Sequence, residues 1–310
     1  MSGITVSVPT EELAGDVSAL LDPELGIEVV LWDGQGQAPR DRIDIVVPPY
    51  MRQGRLLGRL HDIECTLIQG QAIGYEGVEE RLPAGSRYAN ASSVHETATA
   101  ELTIGLLLVA QRDLDRFVRN QDRGVWDNAG MPPGLADRRI VMLGYGGVGK
   151  AIARRLEAFE VDLAPVASRA RDEDGRRVHA LSELEELLPG AEILINVLPG
   201  GAETHHLIDD AVLSQLPDGA LVVNVGRGPT VDTEALVEHV RRGRIRVASD
   251  VFDPEPLPEN HPLWSLEGVF ITPHIGGRSA AMRPRIARLI AEQAERLARG
   301  EEPVNVVIHT

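Results

Sequence analysis

The chain has 310 residues, of which 43% are hydrophobic, and it carries a formal net charge of −16. This length suits two domains of ordinary size. The acidic balance disfavours a nucleic-acid-binding protein, which would normally present a basic face. The one cysteine, Cys65, excludes an intramolecular disulfide framework and fits a reducing compartment such as the cytoplasm.

The first residues, MSGITVSVPTEEL, lack the basic and apolar regions of a signal peptide. No apolar run approaches the ~18 residues needed to span a bilayer. We therefore expect a cytoplasmic protein that does not associate with membranes.

Short apolar runs alternate with helical patterns along the chain. The predicted strands cover residues 27–32, 43–49, 65–70, 139–144, 162–167, 192–199, 220–226, 245–252 and 268–274. The predicted helices cover residues 95–121, 147–159, 181–190, 233–243 and 279–300. Because the strands are almost continuously apolar, they favour parallel sheets covered on both faces. The alternation predicts an α/β, doubly wound fold. The charge run over 171–177 is interpreted as a solvated loop.

A glycine pattern, G-x-G-x-x-G, is completed by Gly144, Gly146 and Gly149. The pattern is weak by itself, but here it follows the strand RIVML and opens the helix VGKAIARRL, as a dinucleotide-binding turn requires. The first glycine permits the tight turn, the second admits the pyrophosphate, and the third lets helix and strand pack closely. Free N–H groups at the helix start attract the negative charge. The sequence therefore predicts a dinucleotide site.

The end of the next predicted strand lacks the acidic residue that usually binds the adenosine ribose of NAD. Ala167, Ser168 and Arg169 stand there, with Arg171 just beyond. A carboxylate would repel a 2′-phosphate by about 4 kcal/mol at ~4 Å and an effective dielectric constant near 20. A hydroxyl and a guanidinium suit phosphate instead. We predict NADP(H) as the preferred cofactor. The alternative is that Arg169 only covers the adenine, in which case NAD(H) is also possible.

Three charged or ionisable residues follow later strands. Arg227, Glu255 and His274 would, taken singly, be interpreted as a turn residue, a loop charge and a structural histidine. Each follows the carboxyl end of a predicted strand in one sheet, where open α/β sheets bind their ligands. Together with a nicotinamide site they form a chemically sufficient catalytic set.

The motifs LGYGGVGKAIARRLEAF, LPGGAETHHLID, LVVNVGRGPTVDTEAL, SDVFDPEPLPENHPLW and ITPHIGG stand in this order over residues 140–277. In them the chain resembles the D-isomer-specific 2-hydroxyacid dehydrogenases, with weaker similarity over 71–102. The resemblance implies two doubly wound parallel-sheet domains, with a Rossmann cofactor domain inserted in a flavodoxin-like substrate domain. We expect the substrate domain over 1–97 plus 286–310 and the dinucleotide-binding domain over 98–285, with hinges at the crossings. The resemblance also implies a homodimer formed through residues 95–135.

The resemblance also assigns roles to the site residues. Arg227 would bind the carboxylate and keto oxygen of a 2-oxo acid. His274 would be the catalytic acid/base, and Glu255 would orient its ring and raise its pKa. The backbone N–H groups of Ile73 and Gly74 would bind the substrate carboxylate, although a plain turn is the alternative for Gly74.

A larger set of residues is implied to hold the cofactor: Thr99, Gly144, Gly146, Gly147, Val148, Gly149, Ser168, Arg169, Pro199, Thr204, Val225, Gly226, Asp250 and Gly276. For Asp250 alone, a structural cap is the alternative. The family often has P-L-T-P-E-T where this chain has PGGAET over 199–204, so one hydroxyl contact to the cofactor is expected to be missing.

The implied reaction is reversible NAD(P)H-dependent reduction of a small 2-oxo acid, such as glyoxylate or hydroxypyruvate, to the D-2-hydroxy acid. One alternative is a dinucleotide-binding redox sensor that resembles the corepressor relatives. Phosphite and formate dehydrogenases are further alternatives, disfavoured by Ile73 and Pro273 respectively.

Four other features have weaker interpretations. Tyr50, Met51 and Trp126 are candidates for the substrate pocket, with plain packing an equal alternative. The pair His205-His206 has no partners at metal-ligand spacing, so no metal site is predicted.

Overall fold

A computed structural model describes residues 3–173 and 175–310. The chain divides into two compact units, one formed by Met1–His95 with Gly277–Thr310 and the other by Glu96–Gly276. The chain thus leaves the first unit after His95 and returns to it at Gly277. The sequence prediction had placed these two boundaries after residue 97 and before residue 286. The second unit is inserted in the sequence of the first.

Each predicted strand and helix has a counterpart in the structure, which also contains strands and α-helices that were not predicted. The strands are β1 (Thr5–Val8), β2 (Glu28–Leu31), β3 (Arg42–Val46), β4 (Glu64–Gln69), β5 (Arg87–Ala89), β6 (Arg139–Leu143), β7 (Asp162–Ala167), β8 (Arg171–Glu173), β9 (Arg176–Ala180), β10 (Ile193–Asn196), β11 (Ala220–Asn224), β12 (Ile245–Ser249), β13 (Val269–Ile271) and β14 (Val306–His309). The α-helices are α1 (Glu11–Ser18), α2 (Gly54–Leu57), α3 (Glu96–Gln111), α4 (Leu114–Asp122), α5 (Gly147–Leu156), α6 (Leu184–Leu187), α7 (Asp210–Gln215), α8 (Thr233–Arg241) and α9 (Met282–Ala298).

The first unit contains a six-stranded sheet in the order β14-β5-β4-β3-β1-β2. Its pairs are parallel except that of β14 with β5. The order β2-β1-β3-β4-β5 is that of flavodoxin-like sheets, with the switch point between β1 and β3. Val6 and Ile45 belong to a core cluster with Leu289 of α9, while Val46 and Leu56 belong to the cluster on the opposite face. Burial on both faces explains why the strands are continuously apolar.

The second unit contains an eight-stranded sheet in the order β13-β12-β11-β10-β6-β7-β9-β8. All pairs are parallel except β8 with β9. Strand order reverses beside β6, which creates a crevice at the carboxyl ends of β6 and β10. Ile140 and Met142 pack with α3 and α5, and Val141 and Leu143 pack on the opposite face. The prediction of an α/β fold with two doubly wound sheets is confirmed.

Two sequence predictions are wrong in detail. The helical pattern over 95–121 is broken at Arg112 and Asp113, because Asp113 adopts the left-handed conformation (φ 51°), which Asp tolerates better than most residues. The charge run over 171–177 is a hairpin of β8 and β9, with Asp174 outside the described residues. Glu173 accepts from Lys150 Nζ (2.6 Å) and Arg171 Nε (2.9 Å), so the charges are paired rather than merely solvated.

None of the helices within 3–173 and 175–310 combines the length and the apolar content needed to cross a bilayer. Cys65 lies half-buried on β4, and burial raises the pKa of its thiol.

Candidate active site

The glycine turn joins β6 to α5. Gly144 has φ 102°, and a Cβ there would lie 2.9 Å from the carbonyl oxygen of Val197. A Cβ on Gly149 would lie 2.2 Å from the carbonyl oxygen of Gly144, so the close helix–strand approach excludes any side chain. By contrast, a Cβ on Gly146 would meet no protein atom within 4 Å. Two glycines thus serve the turn itself, whereas Gly146 keeps open a space that the protein does not fill.

That space lies at the N-terminus of α5, which begins at Gly147. Gly146 is its N-cap residue, and no side chain caps it. The positive end of the helix dipole and the N–H groups of Gly147 and Val148 therefore remain available to an anion. These residues fit the pyrophosphate of a dinucleotide.

The end of β7 offers a hydroxyl and a guanidinium. Ser168 and Arg169 are both exposed. The Arg169 guanidinium makes no hydrogen bond within the described part of the chain, while Arg171 donates from Nη2 to the carbonyl oxygen of Tyr145 (3.3 Å). A cationic edge therefore adjoins the glycine turn.

Two further loops carry predicted cofactor residues. After β10, Thr204 donates from Oγ1 to the carbonyl oxygen of Pro199 (2.7 Å), which closes that loop. After β11, the N–H of Val225 donates to the carbonyl oxygen of Asn196 (3.0 Å), and that of Gly226 donates to Asn224 Oδ1 (3.1 Å).

The loop with Arg227 is held against the next loop of the sheet. A Cβ on Gly228 would lie 1.8 Å from the carbonyl oxygen of Phe252, so only glycine allows the two backbones to meet. The carbonyl oxygen of Arg227 accepts from Asn224 Nδ2 (3.2 Å) and Thr230 Oγ1 (2.5 Å). The backbone position of Arg227 is therefore fixed by buried polar groups.

Asp250 holds the loop that follows β13. Its side chain, in a residue only 2% exposed, accepts from Thr272 Oγ1 (2.6 Å) and from the backbone N–H groups of Ile275 (2.9 Å) and Gly276 (2.8 Å). A Cβ on Gly276 would lie 3.0 Å from Asp250 Oδ2 and 3.5 Å from the Thr99 methyl group, so these three residues lie together.

His274 stands in that loop with φ 52°. Its N–H donates to the carbonyl oxygen of Asp250 (2.8 Å), and its Nδ1 lies 2.7 Å from Glu255 Oε2. The hydrogen bond with Glu255 raises the pKa of His274 above the ordinary 6.5, against opposing effects of burial and of the positive charge of Arg227. Nε2 makes no hydrogen bond to any described residue, so it remains available to exchange a proton with a ligand.

The predicted carboxylate-binding segment lies in the first unit, after β4. Asn90 Nδ2 donates to the carbonyl oxygen of Ile73 (2.9 Å), and the N–H of Ala91 donates to that of Ala72 (2.9 Å). The N–H groups of Ile73 and Gly74 donate to none of the described residues. Backbone N–H groups that are removed from water normally find a hydrogen-bond acceptor. This pair of donors therefore suits an anionic ligand.

The three candidate pocket residues have different surroundings. Tyr50 lines a cavity of the first unit and stacks on His95, with ring centroids 5.6 Å apart. Met51 is exposed, and Trp126 is 95% exposed in the second unit. In the described ranges, no group of three or more His, Cys, Asp or Glu side chains is arranged to hold a metal ion.

A buried polar network beneath Arg227 was not predicted from the sequence. Asn196 Nδ2 donates to Asn224 Oδ1 (2.9 Å) and to Thr230 Oγ1 (2.5 Å). Asn196 and Asn224 are the last residues of β10 and β11. Both could have been found from the sequence, because each is a polar residue at the end of an otherwise apolar strand. Thr272, the residue after β13 that donates to Asp250, could have been found from the same pattern.

The sequence matches the model of the D-isomer specific 2-hydroxyacid dehydrogenase family, NAD binding domain, over residues 104–276. It is 31% identical to the glyoxylate reductase of Pyrococcus horikoshii over 314 residues, which cover 92% of this chain and 93% of that protein. The chain belongs to the D-isomer specific 2-hydroxyacid dehydrogenase family. It is therefore an oxidoreductase that uses a nicotinamide dinucleotide, as the glycine turn predicted.

Solved structures agree with this membership. A D-isomer specific 2-hydroxyacid dehydrogenase from Xanthobacter autotrophicus Py2, in complex with NADPH and MES, is 27% identical with a TM-score of 0.82 and covers 99% of this chain and 98% of its own. An NADPH-dependent glyoxylate/hydroxypyruvate reductase from Sinorhizobium meliloti, in complex with NADP and malonate, is also 27% identical, with a TM-score of 0.77 and coverage of 99% and 97%. These family members do not favour the redox-sensor alternative.

Proposed function

We propose that this dehydrogenase reduces a small 2-oxo acid, such as glyoxylate or hydroxypyruvate, to the D-2-hydroxy acid with NADPH. The observation that supports it most is the pair of His274 and Glu255, 2.7 Å apart, on the same sheet edge as the glycine turn. The relatives named glyoxylate reductase support the choice of substrate.

The proposed chemistry uses three side chains of this protein: Arg227, His274 and Glu255. When bound, the reduced nicotinamide supplies the hydride. The Arg227 guanidinium binds the substrate carboxylate and polarises the keto oxygen. His274 Nε2 then donates its proton to the alkoxide oxygen, and Glu255 stabilises the imidazolium before the transfer. In the reverse direction, neutral His274 accepts the hydroxyl proton.

We propose that the first unit is the substrate domain and the second the cofactor domain. The unpaired N–H groups of Ile73 and Gly74 suit the substrate carboxylate. Thr99, Asp250 and Gly276 adjoin the loop of His274, which supports a place for them beside the nicotinamide. Asp250 acts as the structural cap of that loop at the same time.

The proposed NADPH preference is supported by Ser168 and Arg169 at the end of β7. We expect Arg169→Ala to raise the KM for NADPH roughly ten- to a hundredfold, the worth of a hydrogen bond to a charged group. The KM for NADH should stay within about threefold. Arg177→Ala, which removes a β9 arginine paired with Glu183 (3.2 Å), is the control. Equal kcat/KM with both cofactors in the wild type would contradict the preference.

The test of the activity is NADPH oxidation with glyoxylate and with hydroxypyruvate, followed by chiral analysis of the product. We expect the D-acid from hydroxypyruvate. Tight NADPH binding with no turnover of any 2-oxo acid would refute the proposed function and favour the sensor alternative.

We also propose a homodimer formed through residues 95–135, in particular through α4 and the segment after it. Several large apolar side chains are exposed there: Leu114, Val118, Val125, Trp126 and Met131. Apolar surface of this kind marks interaction sites on soluble proteins. Light scattering should give twice the chain mass, and Trp126→Glu with Met131→Glu should give the monomer.

A further inference from the structure

A cavity of about 800 Å³ lies at the carboxyl edge of the first unit's sheet. The loops after β1, β2 and β3 form its walls, together with Gln71 after β4 and the start of α9. This is the switch-point side of a doubly wound sheet, where such folds bind ligands.

The cavity is cationic in a chain of net charge −16. Three arginines, Arg52, Arg55 and Arg283, and one carboxylate, Asp33, line it. Arg283 is neutralised by Asp16 (2.5 Å). Hydrogen bonds from the backbone and side-chain nitrogens of Gln35 (2.9 and 2.8 Å) lower the pKa of Asp33, and the positive charge of Arg55 lowers it slightly further.

Arg52 and Arg55 remain, and of the two only Arg55 lowers the pKa of Asp33 by its charge. The Arg52 guanidinium forms no ion pair or hydrogen bond with the described residues, although the chain has a large excess of carboxylates. A cation left without a carboxylate partner beside a cavity attracts an anionic ligand.

The cavity adjoins the segment that we propose binds the substrate carboxylate. Gln71, a wall residue, directly precedes Ala72, Ile73 and Gly74. Gln71 is itself fixed: its Nε2 donates to the carbonyl oxygen of Pro48 (2.9 Å), and its own carbonyl oxygen lies 2.6 Å from His95 Nε2. Tyr50, another residue that lines the cavity, stacks on the same His95 ring. A 2-oxo acid held by the N–H groups of Ile73 and Gly74 therefore has a fixed, cationic space beside it.

We infer that this cavity takes a second anionic group of the substrate, beyond the carbonyl carbon, and that Arg52 binds it. Among the 2-oxo acids that the enzyme reduces, those with a distal carboxylate or phosphate are then preferred. This inference rests on the proposed function, because it assumes that Ile73 and Gly74 bind the substrate carboxylate.

The test compares acids of matched length that differ in the distal charge. Oxaloacetate is compared with 2-oxobutyrate, 2-oxoglutarate with 2-oxovalerate, and 3-phosphohydroxypyruvate with hydroxypyruvate. We expect kcat/KM with NADPH to favour the charged member of at least one pair by about tenfold or more. The first two pairs report a carboxylate and the third a phosphate.

Three variants assign the effect to Arg52. Arg52→Gln should lower the charged-to-neutral ratio of kcat/KM about tenfold, and Arg52→Lys should retain most of it, because the charge remains. Arg59→Gln, which removes an arginine paired with Asp62 outside the cavity (2.8 Å), should leave the ratio unchanged. The inference is overturned if the enzyme reduces the acids but favours the charged member of none of the three pairs. It is also overturned if Arg52→Gln leaves the charged-to-neutral ratio of kcat/KM unchanged. In both cases the proposed function stands.

Calorimetric binding of the same acids to the complex with oxidised cofactor separates the two proposals. If no acid is reduced but the charged acids still bind more tightly, and Arg52→Gln abolishes the difference, the proposed function fails and the cavity remains an anion site. Equal binding of charged and neutral acids in all three pairs overturns the inference without reference to turnover.

Discussion

The carboxyl edges of the two sheets are built differently. In the second unit the loops after β11, β12 and β13 interlock: Gly228 meets the backbone of Phe252, and buried Asp250 binds Thr272 and two backbone N–H groups of the His274 loop. In the first unit the corresponding loops surround an open cavity with exposed Arg52 and Arg55.

The difference matches two chemical tasks. Proton and hydride transfer depend on sub-ångström positioning, so their groups need rigid support from packed backbone and buried hydrogen bonds. Recognition of a substrate's distal group tolerates flexible cations on loops, and such loops vary without disturbing the core. We therefore expect substitutions at the second unit's edge to abolish turnover or stability, and those at the first unit's edge to change selectivity.

The largest effect is expected from His274→Gln. Loss of the proton donor should lower kcat about 10²- to 10⁴-fold, the usual contribution of general acid–base catalysis. NADPH affinity, measured by fluorescence titration, should change little. His205→Gln, at an exposed histidine, is the control. A His274→Gln enzyme with kcat within threefold of the wild type would show that another group supplies the proton.

Asp250→Asn tests the rigidity of the same edge. An amide in place of the carboxylate turns one acceptor oxygen into a donor, so at least one N–H of Ile275 or Gly276 loses its partner. A buried unsatisfied group costs about 1–3 kcal/mol, so we expect a lower midpoint of thermal unfolding and a kcat reduced roughly tenfold or more. An unchanged midpoint together with unchanged kcat would mean that the loop does not depend on Asp250.

Much of this edge could be predicted from the sequence. Continuously apolar runs identify parallel strands, and the carboxyl ends of parallel strands meet at one edge. Gly144, Arg227, Glu255 and His274 each follow such a run, so their location on one sheet edge follows from pattern alone. The support beneath them could not be read in the same way, because hydrogen bonds such as that between Asn196 and Thr230 join distant segments.

At the first unit's edge, Tyr50 could be named from the sequence as a candidate pocket residue, but the cavity as a whole could not be predicted. The cavity combines loops after three strands with α9, which lies more than 200 residues later, as Tyr50 and Met282 illustrate. No local pattern distinguishes Arg52, which lacks an ion-pair partner among the described residues, from Arg59, which has one. The β8–β9 hairpin was missed for a related reason, since composition does not reveal that Glu173 is paired.

Gly149→Ala and Gly146→Ala form a matched pair within the glycine turn. At Gly149 the new methyl group would lie 2.2 Å from a carbonyl oxygen, so we expect a loss of stability of about 1–3 kcal/mol from overpacking. At Gly146 the methyl group meets only open space, so stability should be unchanged while NADPH affinity falls. Denaturant unfolding and cofactor titration measure the two effects. Equal losses of stability in both variants would contradict the separate uses of the two glycines.

The smallest expected effect is a displaced pH profile in Glu255→Gln. The hydrogen bond from Glu255 raises the pKa of His274 above 6.5, so wild-type His274 stays protonated to a higher pH than a free imidazole. Reduction requires the protonated ring and is lost as the pH rises through the raised pKa. In Glu255→Gln this loss should begin at lower pH, while oxidation of the hydroxy acid, which needs the neutral ring, should become faster in mildly acidic solution.

The same shift predicts how folding stability changes with pH. His274 stabilises the folded wild type below its unfolded pKa of about 6.5, and this contribution disappears as the pH rises through the folded pKa. The stability difference between the wild type and Glu255→Gln that arises from His274 should therefore be greater near pH 6 than near pH 9. Identical profiles of kcat against pH in the wild type and in Glu255→Gln would mean that Glu255 orients the His274 ring without raising its pKa. The rigid edge of the second unit would then control the geometry of the ring but not its protonation.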